Sequence, residues 1–222
     1  MMKLLLSLTL IWALSSTGAA LVCQTCTTSA CTATVPKTCS SDTMCITASI
    51  QATSGGTGGQ QLIKGCASSS LCPAIGSFTY SVNLGVSSAL ASATCCNTDN
   101  CNSATLAVPA APADNSLQCN SCDNVTCTVP IQCKGTEDRC FQVSVTSGST
   151  TTSALGCASA NMCEATAGLG NTILVQSVGN VPGPACCGTN LCNTLTSAAS
   201  DTCCVRLTMI HLLIGLLVFT LY

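Results

Sequence analysis

Apolar residues in this chain follow two patterns. Predominantly apolar runs sit near the two ends, at residues 4–14 and 207–222, while in between apolar positions alternate with small polar ones. Ile46, Ala48, Ile50 and Ala52 are separated by Thr, Ser and Gln, and Phe78, Tyr80, Val82, Leu84 and Val86 by Thr, Ser, Asn and Gly. Phe141, Val143 and Val145 repeat the pattern further on. A period of two marks a strand with one buried face. No segment between the terminal runs carries a helical apolar period, so the fold class expected is all-β. Gly55-Gly56-Thr57-Gly58-Gly59 lies midway between Cys45 and Cys66, where a long hairpin would turn. With no following helix or Lys it does not complete a phosphate-binding loop.

The terminal runs read as processing signals. Lys3, the apolar stretch 4–14 and the small residues Gly18-Ala19-Ala20 form a signal peptide over residues 1–20. A run of eleven residues is too short to span a bilayer. Near the other end, Ser197-Ala198-Ala199 precedes a short polar stretch and the apolar residues 207–222. Small attachment-site residues, a polar spacer and a hydrophobic tail are the signal for a glycosylphosphatidylinositol (GPI) anchor. A transmembrane helix needs about 20 apolar residues, whereas this tail has sixteen, includes His211 and leaves no cytoplasmic segment after it. Ser197 is therefore the expected attachment residue, with Ala198, Ala199 and Ser200 as rivals, and residues 198–222 the discarded propeptide.

Between these signals the chain keeps four basic and seven acidic residues, a net charge of −3, and loses its only Trp (Trp12) and only His (His211). Without a basic cluster it lacks the electrostatic footprint of nucleic-acid binding. Of the 22 cysteines, Cys203 and Cys204 leave with the tail; beside a retained membrane helix they would be palmitoylation candidates. The remaining twenty are an even number in a short secreted chain, which points to a disulfide scaffold in an oxidising compartment.

Those twenty fall into an internal repeat. From Cys23 the pattern is C-x2-C-x4-C-x7-C-x5-C-x20-C-x5-C-x22-CC-x4-C-N, ending at Cys101-Asn102. From Cys119 it is C-x2-C-x4-C-x5-C-x6-C-x16-C-x5-C-x22-CC-x4-C-N, ending at Cys192-Asn193. Lys64-Gly65-Cys66-Ala67-Ser68 is echoed by Leu155-Gly156-Cys157-Ala158-Ser159. Two similar domains are expected, over residues 21–103 and 117–197, joined by a linker at 104–116 that contains Val108-Pro109-Ala110-Ala111-Pro112. Each is small, and Phe78, Tyr80 and Phe141 are the only aromatics left, so covalent staples must supplement a thin core. Spacing alone leaves the pairing open, since ten cysteines can combine in several hundred ways.

Leu21-Val22-Cys23-Gln24-Thr25-Cys26 at the start and Cys-Cys-x4-Cys-Asn at the end of each copy resemble the three-finger domain of the lymphocyte-antigen-6 and urokinase-receptor (LU) superfamily. The resemblance covers essentially the whole segment between the signals. It implies Cys23–Cys45, Cys26–Cys31, Cys39–Cys66, Cys72–Cys95 and Cys96–Cys101 in the first domain. In the second it implies Cys119–Cys140, Cys122–Cys127, Cys133–Cys157, Cys163–Cys186 and Cys187–Cys192. It also implies a disulfide knot from which three hairpin fingers leave, with Asn102 and Asn193 hydrogen-bonded back into it.

No catalytic constellation is visible. Without His there is no Ser-His-Asp, Cys-His or His-ligated metal arrangement, and Asp42, Asp99, Asp114 and Asp123 form no pair by spacing. Spacings such as Cys26-x4-Cys31 imitate zinc ligands, but secretion argues for disulfides and against a metal. Glu137-Asp138-Arg139 is the densest charge cluster and reads as a solvated hairpin turn. No cofactor and no small-molecule substrate are expected. Asn124-Val125-Thr126 is the one N-glycosylation sequon. The resemblance implies a receptor-type protein on the extracellular face of the plasma membrane that binds an extracellular or membrane protein ligand through its fingers. Phe78, Tyr80 and Phe141 are either anchors for that ligand or core, and core is the commoner role. Two alternatives are a secreted two-domain inhibitor resembling the plasma phospholipase inhibitors and a structural surface-coat protein.

Overall fold

The computed structural model describes residues 20–26, 31–40, 44–123, 126–147, 150–169 and 185–195. The first repeat forms β1 (Val22–Cys26), β2 (Thr34–Thr38), β3 (Met44–Ser54), β4 (Thr57–Ala67), β5 (Gly76–Asn83) and β6 (Ser87–Cys96). The second forms β7 (Asp114–Ser121), β8 (Val129–Lys134), β9 (Arg139–Ser147), β10 (Thr150–Ala158), the helix α1 (Ala160–Leu169) and β11 (Ala185–Cys187). The fold is all-β with many disulfides, as the alternating pattern indicates. β1–β2 and β7–β8 are two-stranded sheets, and the other strands join in one antiparallel sheet in the order β11-β9-β10-β5-β6-β3-β4. That sheet crosses from one repeat to the other at β5 and β10, where Asn83 opposes Cys157 and Val82 opposes Ala158.

Register explains the core. Ile46, Ala48 and Ile50 on β3 share a face with Ile63 on β4, Ala89, Ala91 and Ala93 on β6, and Phe78, Tyr80 and Val82 on β5. The alanine row on β6 leaves room for the larger side chains opposite, and the same cluster continues through Ala158 and Phe141 of the second repeat. Leu71 and Cys72 from the segment 68–75 cover this face, together with Met162 and Ala165 from α1. The two repeats thus share one apolar core. On the other face of the sheet, β1 packs on β4 and β7 packs on β10. Thr47 and Lys64 are buried although their residue types suggest a solvated face, because the last loop of the repeat meets them: Thr47 Oγ1–H donates to Asn102 O (3.2 Å) and the Lys64 ammonium to Ser103 O.

Turn chemistry matches the sequence. Gly55 (φ 56°) and Gly56 (φ 84°) make the two-residue β3–β4 turn, the positive-φ pair that a tight hairpin favours. Thr57, Gly58 and Gly59, expected in the turn, already belong to β4. Gly55 N–H also donates to Val86 O (3.1 Å), tying the tips of the second and third fingers together.

β7 starts at Asp114, which pairs with Lys134. Two expectations need correction. The second repeat contains a helix although its sequence shows no sustained helical apolar period. Among the described side chains of α1, Met162 and Ala165 are buried, a single turn apart, a signal too short to register. The helix is held from outside instead: Ala160 N–H donates to Asp138 Oδ1 (2.8 Å), which caps a free amide of its first turn, and Cys163 is bonded to Cys186 on β11. Second, Glu137 is not solvated; it is 2% exposed.

The close approach at the seam generates a prediction. A Cβ on Gly156 would sit 2.0 Å from Asn83 O, whereas one on Gly59 would meet nothing within 4 Å. Gly156→Ala is expected to cost on the order of 3 kcal/mol by forcing the sheet apart, and Gly59→Ala to stay within about 0.5 kcal/mol of the parent. Urea unfolding with intact disulfides measures both.

Candidate functional site

Each repeat gathers four disulfide-bonded cysteines into a small buried cluster. In the first, the Cys23–Cys45 and Cys39–Cys66 bonds lie side by side, with Cys23 Sγ and Cys39 Sγ 3.3 Å apart. In the second, Cys119–Cys140 and Cys133–Cys157 stack the same way at 3.2 Å. Cys23, Cys39 and Cys66, and likewise Cys119, Cys133 and Cys157, approach one another closely enough to resemble metal-ligand sets. As disulfide sulfurs they carry no thiolate to bind a metal. Cys72–Cys95 and Cys163–Cys186 pin the covering segments to the apolar face of the sheet. Cys26–Cys31 and Cys122–Cys127 close small loops after β1 and β7, and Cys96–Cys101 and Cys187–Cys192 close the last loop of each repeat.

That last loop is built twice with the same bonds. Asn102 Oδ1 accepts from Gln24 N–H (2.9 Å), while Asn102 Nδ2 donates to Gln24 O (2.8 Å) and Ile46 O (3.0 Å). Asn193 Oδ1 accepts from Asn120 N–H (2.9 Å), and its Nδ2 donates to Asn120 O (2.8 Å) and Phe141 O (2.9 Å). Both asparagines are buried. Asp99 Oδ1 accepts from Val22 N–H (2.9 Å) as Asn190 Oδ1 accepts from Gln118 N–H (3.0 Å). Asn100 and Leu191 both take φ near 55° to complete the loop. The amide group suits this position because it donates and accepts at once; a carboxylate could not satisfy the two carbonyls.

The aromatics are framework. Tyr80 and Phe141 are buried, and Phe78 packs half-buried against the same cluster, 6.5 Å from Tyr80 between ring centroids. The Tyr80 hydroxyl donates to Leu71 O, and burial pushes its pKa up to about 12. Lys64 is also buried; its ammonium donates to Ser103 O, and desolvation lowers its pKa. What remains on the surface is the first finger and the hairpin tips. All five residues of β2 are exposed, with Val35 at 49%, and Val86 at the tip of the third finger is 66% exposed. Asn124 and Ser197, the expected glycosylation and anchor residues, lie outside the described residues, as do Asp42, Trp12, Cys203, Cys204 and His211.

A second polar cluster, with no signal in the cysteine pattern, joins the two repeats. Ser159 N–H donates to Ser81 O and Ser81 N–H to Ser159 Oγ, both at 3.0 Å. Asn161 Nδ2 donates to Thr79 O (2.9 Å). The Ser81 hydroxyl donates to Glu137 Oε1 (2.7 Å), and Lys134 N–H to Glu137 Oε2 (2.7 Å). Asp138 and Arg139, next to Glu137, form an exposed ion pair at 3.2 Å. Sequence reasoning could have met Ser159 through the repeated Gly-Cys-Ala-Ser segment, but nothing in that segment says which strand it faces.

A family model described as the u-PAR/Ly-6 domain matches the chain twice, over residues 19–104 and 115–194. No curated protein matches the chain. The chain therefore belongs to the u-PAR/Ly-6 domain family, of which it carries two tandem copies. Domains of this family are non-enzymatic ligand-binding modules of cell-surface and secreted proteins.

The duplicated asparagine clasp is testable. Asn102→Ala strands a buried N–H and two carbonyls, and each buried group left unsatisfied costs about 1–3 kcal/mol. A loss on the order of 3 kcal/mol is expected in urea unfolding, with a comparable loss for Asn193→Ala. Asn97→Ala, at an exposed position, is expected to be near neutral.

Proposed function

We infer that this two-domain chain is a GPI-anchored protein of the outer cell surface that binds a protein ligand through its fingers and carries out no catalysis. The observation that carries this reading is the division of labour among the fingers. The third finger of the first domain spends its edge on β10 and its aromatics on the shared core. The first finger, β1–β2, keeps all of β2 exposed. A rigid scaffold that presents loops is where recognition residues concentrate. Thr34, Val35, Pro36 and Lys37 offer a small, weakly charged contact surface, suited to recognition by shape and hydrogen bonding with little electrostatic steering.

Ser197-Ala198-Ala199, the polar stretch after it and the apolar residues 207–222 support a lipid anchor. Among the described residues no helix is long and apolar enough to cross a membrane. Asn124 is the proposed glycan acceptor, on the small loop closed by Cys122–Cys127.

Expression of the full chain on cultured cells tests the anchor. Treatment with a phosphatidylinositol-specific phospholipase C is expected to release the protein into the medium; soluble protein without treatment would instead favour the secreted inhibitor. Peptide N-glycosidase F is expected to shift the mobility of the parent but not of Asn124→Gln. The released ectodomain, screened against secreted and membrane proteins, is expected to find a partner whose binding weakens in Val35→Ser. A screen that returns no partner would favour a surface-coat role.

A further inference from the structure

The carboxylate of Glu137 sits where the two domains meet and has only neutral partners. It comes from the turn between β8 and β9 of the second domain, and it faces β5 of the first. Ser81 Oγ–H donates to Oε1 and Lys134 N–H to Oε2, each at 2.7 Å. The Asn83 side chain, whose Oδ1 accepts from Gly85 N–H (2.9 Å), is a further neutral neighbour that favours the anion. Among the described residues no cationic side chain lies within 4.0 Å of the carboxylate.

The charged groups around it are engaged elsewhere. Lys134 Nζ is exposed and lies 4.0 Å from Asp114 of β7. Arg139 pairs with Asp138, whose other oxygen receives Ala160 N–H. β5 and β10 contribute no charged residue, and Glu164 of α1 is exposed. A buried carboxylate with neutral donors only is costly as an anion and cheaper as an acid. Protonated at Oε1, it would donate to Ser81 Oγ, whose hydroxyl can rotate, while Oε2 keeps the Lys134 N–H.

We propose that Glu137 is a pH-responsive latch between the two domains, which holds the β5–β10 seam more tightly when protonated. Burial pushes the Glu137 pKa above its ordinary value against the opposing pull of its hydrogen bonds and of Lys134. The sign follows from that direction. When the folded pKa is raised, the closed seam binds a proton that the opened seam releases. The contribution is therefore complete below the ordinary Glu range and is lost as pH rises through the folded pKa. The seam is tightest in mildly acidic surroundings and looser at neutral pH, on a protein whose two domains otherwise share one core.

Amide hydrogen exchange of the intact two-domain protein at pH 5 and pH 7.5, corrected for intrinsic rates, tests this. Ser81 and Ser159 report the seam. In the parent their protection is expected to rise on acidification to pH 5, by less than the limit of about tenfold for each unit separating the folded and open pKa values, which is reached only below the ordinary Glu range. Glu137→Gln imitates the protonated acid, donating to Ser81 Oγ and accepting from Lys134 N–H, and is expected to show the same protection at both pH values. Ser81→Ala removes a hydrogen bond to the anion and is expected to move the midpoint of the transition upward. Parallel pH dependence in the parent and Glu137→Gln would overturn the latch. So would a midpoint in Ser81→Ala equal to that of the parent.

Discussion

Scarcity of apolar side chains is the constraint from which the rest of this structure follows. Between its terminal runs the chain has three aromatics, and a domain of about 80 residues buries too little surface to offset chain entropy comfortably on its own. Two responses are visible. Ten disulfides reduce the entropy of the unfolded chain, and the two repeats pool their apolar faces into one sheet, so that Phe141, Ala158, Met162 and Ala165 complete a cluster begun by Ile46, Ile50, Tyr80 and Val82. The second response makes the domains structurally dependent on each other, although their cysteine frameworks look self-contained.

How much of this could be read from the chain depended on range. Alternation at Ile46–Ala52 and Phe78–Val86 and the Gly-Gly turn are local signals, and β3, β5 and their hairpins follow them. Burial of Thr47 and Lys64 could not be read because it depends on Asn102 and Ser103 of a loop far along the chain, and sequence periodicity reports one buried face well and two poorly. α1 was missed because its cap is a carboxylate from another element, Asp138. Glu137 was misread for a related reason. A run of Glu, Asp and Arg suggests solvent, but residues of a short turn can point opposite ways; here Asp138 and Arg139 face water and Glu137 faces β5.

Pooling one core also restricts where recognition can occur. A strand that donates its edge to the seam cannot offer it to a partner, and in the first domain that strand is β5. The first finger is differently guarded. Cys39 N–H donates to Leu21 O, so Leu21 and Cys39 form a hydrogen-bonded pair, and alternation along the antiparallel β1–β2 ladder turns the backbone of Pro36 outward. The outer edge of β2 therefore lacks a donor at its centre, which discourages strand addition by another chain. Side chains, not the main-chain ladder, are what β2 has to offer.

Departures from the internal repeat fall at the seam and its surroundings. Cysteines and terminal asparagines make matching bonds in both copies, yet the equivalent of buried Lys64 is the fully buried Leu155. Beside it, the covering segment that makes only a turn at Ser68–Cys72 in the first domain continues as the helix α1 in the second. A duplicated domain that pairs through its strands must distinguish its own partner from a neighbour's, and divergence on one side of the pair is the simplest physical way to do so. The knots could stay alike because they face inward; the pairing edges could not.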